Sequence, residues 1–384
     1  MLFALALVAF VSLGLPDGVL GVAWPSIRRS FGLPPSQLGS LLAAAMVGYL
    51  VSSFSSGALV ARLGVGRVLL WSSVLMVVNS FAYALAPAWV VMVAAGLLAG
   101  LGAGAIDAGI NAFAAARFSP RLMTWLHASY GVGAMLGPLL MTAVVTSGLG
   151  WRWGYVVIGC LLAAMAVSFL VTIPLWTMAP LKRDVPGDVS ATASGFGETL
   201  RLPRVWLHVA LFLVYTGLEA CAGQWAYSLF TEARGLAAGA AGAWVAIYWA
   251  GLTAGRVISG ALANRLAADA LLRIGTLGAL AGTLLIWWDP GMGVGRLGLA
   301  ALGVALAPIY PTLIAETPAR LGQSHAASAI GFQVAGAYLG TAVIPGLTGL
   351  LATRAGLDVI GPCLVGTAAI LLLLQEIARR PRAT

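Results

Sequence analysis

The sequence predicts an all-α membrane protein of twelve transmembrane helices, arranged as two pseudo-symmetric six-helix halves. Three observations predict it. First, the 384 residues are 60% hydrophobic and only 9% charged, against about 25% charged in an ordinary soluble chain. So few charges cannot cover a water-facing surface. Second, long apolar runs bounded by Gly, Pro or Arg recur twelve times, about what this length allows at roughly 20 residues per span. Third, the second half repeats landmarks of the first at one fixed offset.

The first run, residues 2–25, lacks a basic leading region and is too long for a cleaved leader, so it reads as the first span. Runs 36–60 and 66–86 follow, joined through "GALVARLGVGR". Run 88–116 holds "GLGAGAIDAGINAF", run 121–147 holds "WLHASYGVGAMLGP", and run 152–176 completes the first half, residues 1–176. Residues 177–205 form the one long polar segment, expected as a cytoplasmic loop. The second half, 206–384, holds runs 206–231, 239–263, 269–288, 294–316, 323–353 and 357–378. Strands are excluded as spanning elements, because barrel strands alternate polar with apolar residues and these runs do not.

Twenty-one Lys and Arg against twelve Asp and Glu give a formal charge of +9. The basic residues fall between apolar runs rather than on one element, which argues against nucleic-acid binding. With the N-terminus inside, fourteen of them lie in cytoplasmic segments and six in outer loops. The positive-inside rule therefore places both termini in the cytoplasm and the chain as a multi-pass protein of the cell (inner) membrane. Cys160, Cys221 and Cys363 lie within apolar runs without metal-ligand spacing and read as small core residues.

The repeat has an offset of 203 residues. It pairs "GALVAR" at Gly57 with "GALANR" at Gly260, Gly14-Leu15 with Gly217-Leu218, and Gly48 with Gly251. It also pairs Arg117 with Arg320, and "GAMLG" at Gly133 with "GAYLG" at Gly336. Two like halves are a transporter architecture, with the solute site expected near the midplane.

An ionisable side chain at the centre of a membrane helix costs roughly 2.5–3.5 kcal/mol or more, which makes each one a functional candidate. Asp17 sits in "LGLPDGVLG", where Pro16 and the glycines are expected to weaken the first helix and free backbone groups. Asp107 lies ten residues before Arg117, about 15 Å from the cytoplasmic end at 1.5 Å per residue. Asn111, one turn on, shares its face. Asp107 reads as a proton and solute carboxylate or as a helix–helix tie. Two acids in one half suggest proton handling, since desolvation favours the neutral carboxyl and such a group can shuttle a proton. Glu219 lies in "YTGLEACAGQWAY" with Tyr215, Gln224 and Trp225, a set suited to a hydroxylated solute; an interfacial aromatic belt is the other reading of Trp225. His127 and Tyr130 lie one turn apart; His127 is a candidate ligand or a cytoplasmic-side structural residue. Gln333 occupies the repeat position of Tyr130. Arg256 needs a partner, with Glu219 and Glu316 the candidates, in a gate or a structural ion pair. Pro308 and Pro311 break the tenth run, as a hinge or a plain kink. No nucleotide-binding loop, metal-ligand cluster or nucleophile–base pair is present, so no enzyme, cofactor or metal is expected.

The twelve runs, duplicated halves and central loop resemble the major facilitator superfamily. "GALVARLGVGR" is similar to its helix 2–3 loop signature at Gly57, Arg62 and Gly64, but Ala61 stands where that signature has an acid. "GLPDGVLGVAWPSIRRSFGL" and "GLGAGAIDAGINAF" resemble the fucose–galactose–glucose proton symporter branch. That resemblance implies that Asp107, with Asn111, handles solute and proton, and that Asp17 is the second proton site. Helix 4 carries Asp where the branch has Glu, and His127 stands where it has Gln. The reading is therefore a monomeric, proton-coupled symporter of a small hydroxylated solute, a sugar first, working by alternating access. The alternatives are a proton-coupled antiporter exporting drugs or metabolites and a non-transporting receptor or sensor. The proton-coupling residues are Asp17 and Asp107. The solute-binding set is Asp107, Asn111, His127, Tyr130, Glu219, Gln224, Trp225 and Gln333, and Arg256 and Glu316 form the gating or structural ion pair.

Overall fold

Each apolar run becomes a helix because only intrahelical hydrogen bonds satisfy the backbone in hydrocarbon. The computed structural model describes residues 2–118, 120–176, 196–262, 265–289 and 293–379. Twelve helical segments are long and apolar enough to cross a membrane, one for each predicted run, and there is no strand among the described residues. Most of the central polar segment, residues 177–195, lies outside the described residues.

The helices are α1 (Leu2–Phe31), α2 (Leu38–Leu63), α3 (Val65–Leu85), α4 (Trp89–Arg117), α5 (Pro120–Thr146), α6 (Trp151–Thr172), the single turn α7 (Phe196–Leu200), α8 (Pro203–Ser228), α9 (Ala238–Leu262), α10 (Ala268–Trp288), α11 (Val294–Leu306), α12 (Ile309–Leu321), α13 (Gln323–Ala355) and α14 (Ile360–Arg379). α11 and α12 are two pieces of one span, broken at Pro308 as the sequence predicts. Only Gly64, at φ +79°, separates α2 from α3, a conformation that a residue with a Cβ rarely adopts.

The described chain forms two compact units, Met1–Leu181 with Ala226–Trp249, and Lys182–Trp225 with Ala250–Thr384. In the first, α1 packs on α5, α2 on α4, and α3 on α4 and α6. In the second, α10 packs on α11 and α14, and α8 is tied to α13 by hydrogen bonds. Interior positions hold Trp24, Phe113, Trp176, Tyr215 and Trp225, all buried. Large apolar side chains such as Phe54, Leu85 and Val171 stand exposed, as lipid contact requires.

Glycines set the tightest seams. A Cβ on Gly14 would strike the α5 backbone at Tyr130 and Ala134, and one on Gly133 would strike α1 at Val11 and Leu15. The repeat positions behave alike inside the second unit: Gly217 faces Gly340 and Ile344 of α13, and Gly336 faces Val209 of α8. Gly48 closes α2 on α4, and Gly251 closes α9 on α11. Small residues allow such backbone approach in membranes, where no hydrophobic force draws helices together.

One expectation is corrected. α1 runs unbroken through Pro16 and Pro25. Gly14 and Gly18 serve the α5 seam instead of loosening the helix, so the seam holds the segment helical.

Gly14→Ala and Gly217→Ala are expected to lower thermal stability in detergent by about 1–3 kcal/mol, the usual penalty of overpacking. Gly57→Ala and Gly260→Ala, at repeat positions with no atom near the added methyl, should leave it unchanged or raise it. Equal effects in the two sets of variants would disprove the seam assignment.

Candidate functional site

Among the described residues, three carboxylates lie deep within the spans, and a tyrosine hydroxyl donates to each. Asp107 on α4 accepts from Tyr49 Oη of α2 through Oδ2 at 2.5 Å, and from Asn111 Nδ2 through Oδ1 at 2.8 Å. The local sequence explains the reach. Gly100 and Gly104, two turns and one turn before Asp107, bring the α2 backbone at Ala45 and Tyr49 onto α4. Tyr49 is buried, and Asp107 and Asn111 are half-buried. Both of these donors, a phenol hydroxyl and an amide, are neutral.

Asp17 on α1 accepts a hydrogen bond from Tyr130 Oη of α5 across the Gly14 seam. Asp17 is exposed and Tyr130 half-buried. His127, one turn before Tyr130, is exposed and meets Phe10 edge-on, with ring centroids 5.4 Å apart.

The third cluster lies in the second unit. Glu219 Oε2 accepts from Tyr215 Oη at 2.5 Å and lies 3.5 Å from Arg256 Nη2 of α9. The Glu219 and Arg256 side chains keep 15% and 30% of their surface exposed, so this pair is not sealed from its surroundings. The Pro308 break presents Tyr310 to Phe212 and Tyr215, at centroid distances of 5.1 and 6.1 Å.

A family model described as Major Facilitator Superfamily matches residues 3–345. The chain belongs to the major facilitator superfamily. A curated relative, the gentisate transporter of Corynebacterium glutamicum, is 25% identical over 389 residues, covering 93% of this chain and 82% of that protein. Among solved structures, a point mutant of the nucleoside transporter NupG superposes with a TM-score of 0.81 at 12% identity, over 98% of this chain and 99% of that one. A D-xylose–proton symporter superposes at 0.75 with 16% identity, over 96% of each chain. At these identities the structural likeness establishes the fold. The protein is thus a membrane transporter of the superfamily.

The remaining predicted residues of this superfamily member are placed as follows. Trp225 is fully buried and donates its indole N–H to the Pro345 carbonyl at 3.0 Å. Gln224 is buried beside it. Gln333 is fully buried, its Oε1 accepting from Thr317 at 3.0 Å. Of the two partners considered for Arg256, Glu219 is the one in contact; Glu316 lies 3.5 Å from Arg320 on its own helix. Arg320 also binds Asp269 at 2.6 Å, and Glu376 of α14 binds Arg273 and Arg379, both at 3.1 Å. This network ties α10, α12 and α14. Sequence reasoning missed Tyr49, whose only signal was one polar aromatic residue in "MVGYLVSS". It also missed the network, although Glu316 and Arg320 stand at the four-residue spacing of a helical ion pair.

The Tyr49–Asp107 bond is measurable without any solute. Tyr49→Phe, Asp107→Asn and the double variant form a cycle of denaturation free energies. A coupling of about 1 kcal/mol or more is expected, above the roughly 0.6 kcal/mol average for membrane hydrogen bonds because one partner is a carboxylic acid. Additivity within about 0.5 kcal/mol would mean that the pair carries no specific interaction.

Proposed function

We propose that this superfamily member is a proton-coupled symporter of a small hydroxylated solute, a sugar first, belonging to the fucose–galactose–glucose branch and working by alternating access in the cell (inner) membrane. The observation that carries this reading is the Asp107 carboxylate, mid-span, partly exposed, and held by two neutral donors. A solute hydroxyl offers the same O–H donor as Tyr49 and can take its place at Oδ2 without changing the charge balance. The amide of Asn111 has further donor and acceptor capacity for a second hydroxyl. Asp17, exposed and bonded to Tyr130, is the second proton site. Protonation of either acid adds an O–H donor beside the remaining acceptor oxygen, so the set of hydrogen bonds it can make changes with each proton gained or lost.

In this reading Glu219, with Arg256, orients the solute, and the ring of Tyr310, which packs on the buried Tyr215, supplies flat surface for C–H faces. His127 and Tyr130 contribute contacts on α5, Trp225 ties α8 to α13, Gln333 ties α13 to α12, and Gln224 lies one residue before Trp225. Both termini are cytoplasmic and the functional unit is the monomer. The xylose–proton symporter shares the fold, which supports the chemistry as feasible in this scaffold.

Linkage fixes the sign of the pH effect: in a symporter proton and solute strengthen each other's binding by the same factor. Solute affinity should therefore rise as pH falls. In proteoliposomes holding the purified protein, an acid exterior should drive accumulation of the matching sugar from a panel of labelled hexoses, pentoses and polyols. Asp17→Asn should keep binding and counterflow but abolish accumulation. Asp107→Ala should weaken binding itself, by about tenfold or more for one lost hydrogen bond to a charged group. Uphill uptake by Asp17→Asn at the wild-type rate would remove Asp17 from the proton path. Solute efflux driven by proton entry would replace symport by antiport.

A further inference from the structure

A groove of about 370 Å³ runs along the outside of the first unit between α2, α3 and α4. Ser55, Leu59 and Leu63 of α2 form one wall, and Val68, Trp71 and Leu75 of α3 the other. From Leu63 to Val51, its deepest α2 residue, the groove descends about 18 Å at 1.5 Å per residue. One leaflet of hydrocarbon is about 15 Å deep. Trp71 is 59% exposed and Leu63 41%, so the groove opens sideways toward lipid rather than inward.

Two arginines stand at the mouth of the groove. Arg62 directly precedes Leu63, Arg67 directly precedes Val68, and both arginines are exposed. No acidic residue occurs anywhere between Asp17 and Asp107. Among the described residues no carboxylate pairs with either arginine. The second unit handles its basic residues differently: Arg273 at the start of α10 is bound to Glu376, and Arg320 to Asp269. The sequence explains the difference, since Ala61 stands beside Arg62 where an acid would neutralise it.

We propose that this groove binds one anionic glycerophospholipid, its phosphate taken by Arg62 and Arg67 and one acyl chain laid along Leu59, Leu63, Trp71 and Leu75. Basic pockets at the end of transmembrane helices select anionic headgroups in this way. The surrounding membrane supplies the apolar contact to any lipid equally, so selectivity rests on the two guanidiniums. A headgroup bearing an ammonium finds no carboxylate paired with either arginine among the described residues, which disfavours it against phosphatidylglycerol.

Trp71 provides the readout. Wild-type protein and Trp71→Phe are placed in phosphatidylcholine nanodiscs containing increasing phosphatidylglycerol brominated on its acyl chains, and the difference in emission isolates Trp71. Brominated phosphatidylglycerol should quench that emission at a far lower mole fraction than brominated phosphatidylcholine, by about fivefold for each arginine engaged. Arg62→Gln with Arg67→Gln should abolish the preference. Ala61→Asp, which adds a carboxylate beside Arg62 without touching the groove wall, should reduce it while the protein keeps its wild-type melting temperature. Equal quenching by the two lipids, or a preference that survives in the double arginine variant, overturns the proposal. Displacement by millimolar inorganic phosphate overturns it as well, because the arginines would then form a simple anion site. The measurement involves no solute or proton gradient, so its outcome is independent of the transport reading.

Discussion

The hydrogen bond from a tyrosine hydroxyl to a carboxylate is the interaction on which the interior of this protein depends. Among the described residues it occurs at Asp17 with Tyr130, Asp107 with Tyr49, and Glu219 with Tyr215. Hydrocarbon offers an acid no other partner, so each pair has to be built by the packing around it. For the first two the donor comes from a different helix, and glycine seams bring that helix within reach: Gly14 against α5, and Gly100 and Gly104 against α2. For Glu219 the donor stands one turn away on the same helix, and the neighbouring helix supplies Arg256 instead.

That difference divides the three acids chemically. Glu219 already has a cation at 3.5 Å, so losing or gaining a proton there also makes or breaks an ion pair. Asp17 and Asp107 are bonded to neutral donors.

The spans were legible because an uninterrupted apolar run of about 20 residues has one physical meaning. The acids were legible because a carboxyl group in such a run is conspicuous. Tyr49 was not, since a tyrosine in a membrane run is unremarkable until packing places it beside a residue 58 positions away. Trp225 and Gln333 show the converse limit. A polar side chain in an apolar span looks the same in sequence whether it faces an opening or, as here, closes a bond to a Pro345 carbonyl or a Thr317 hydroxyl. Pro16 misled for a related reason: proline lowers helix stability locally, but a seam with α5 outweighs that preference.

The glycine seams have a mechanical consequence. Where backbone rests on backbone, no side-chain rotamers lie between two helices to yield under load. α1 with α5, α2 with α4, α8 with α13 and α9 with α11 are therefore stiff two-stranded struts. Any shape change in this protein has to move such struts whole. Compliance is left to segments without a seam of this kind, such as the wide-wound turn Leu229–Ala233 that ends α8. That turn is where bending energy would collect.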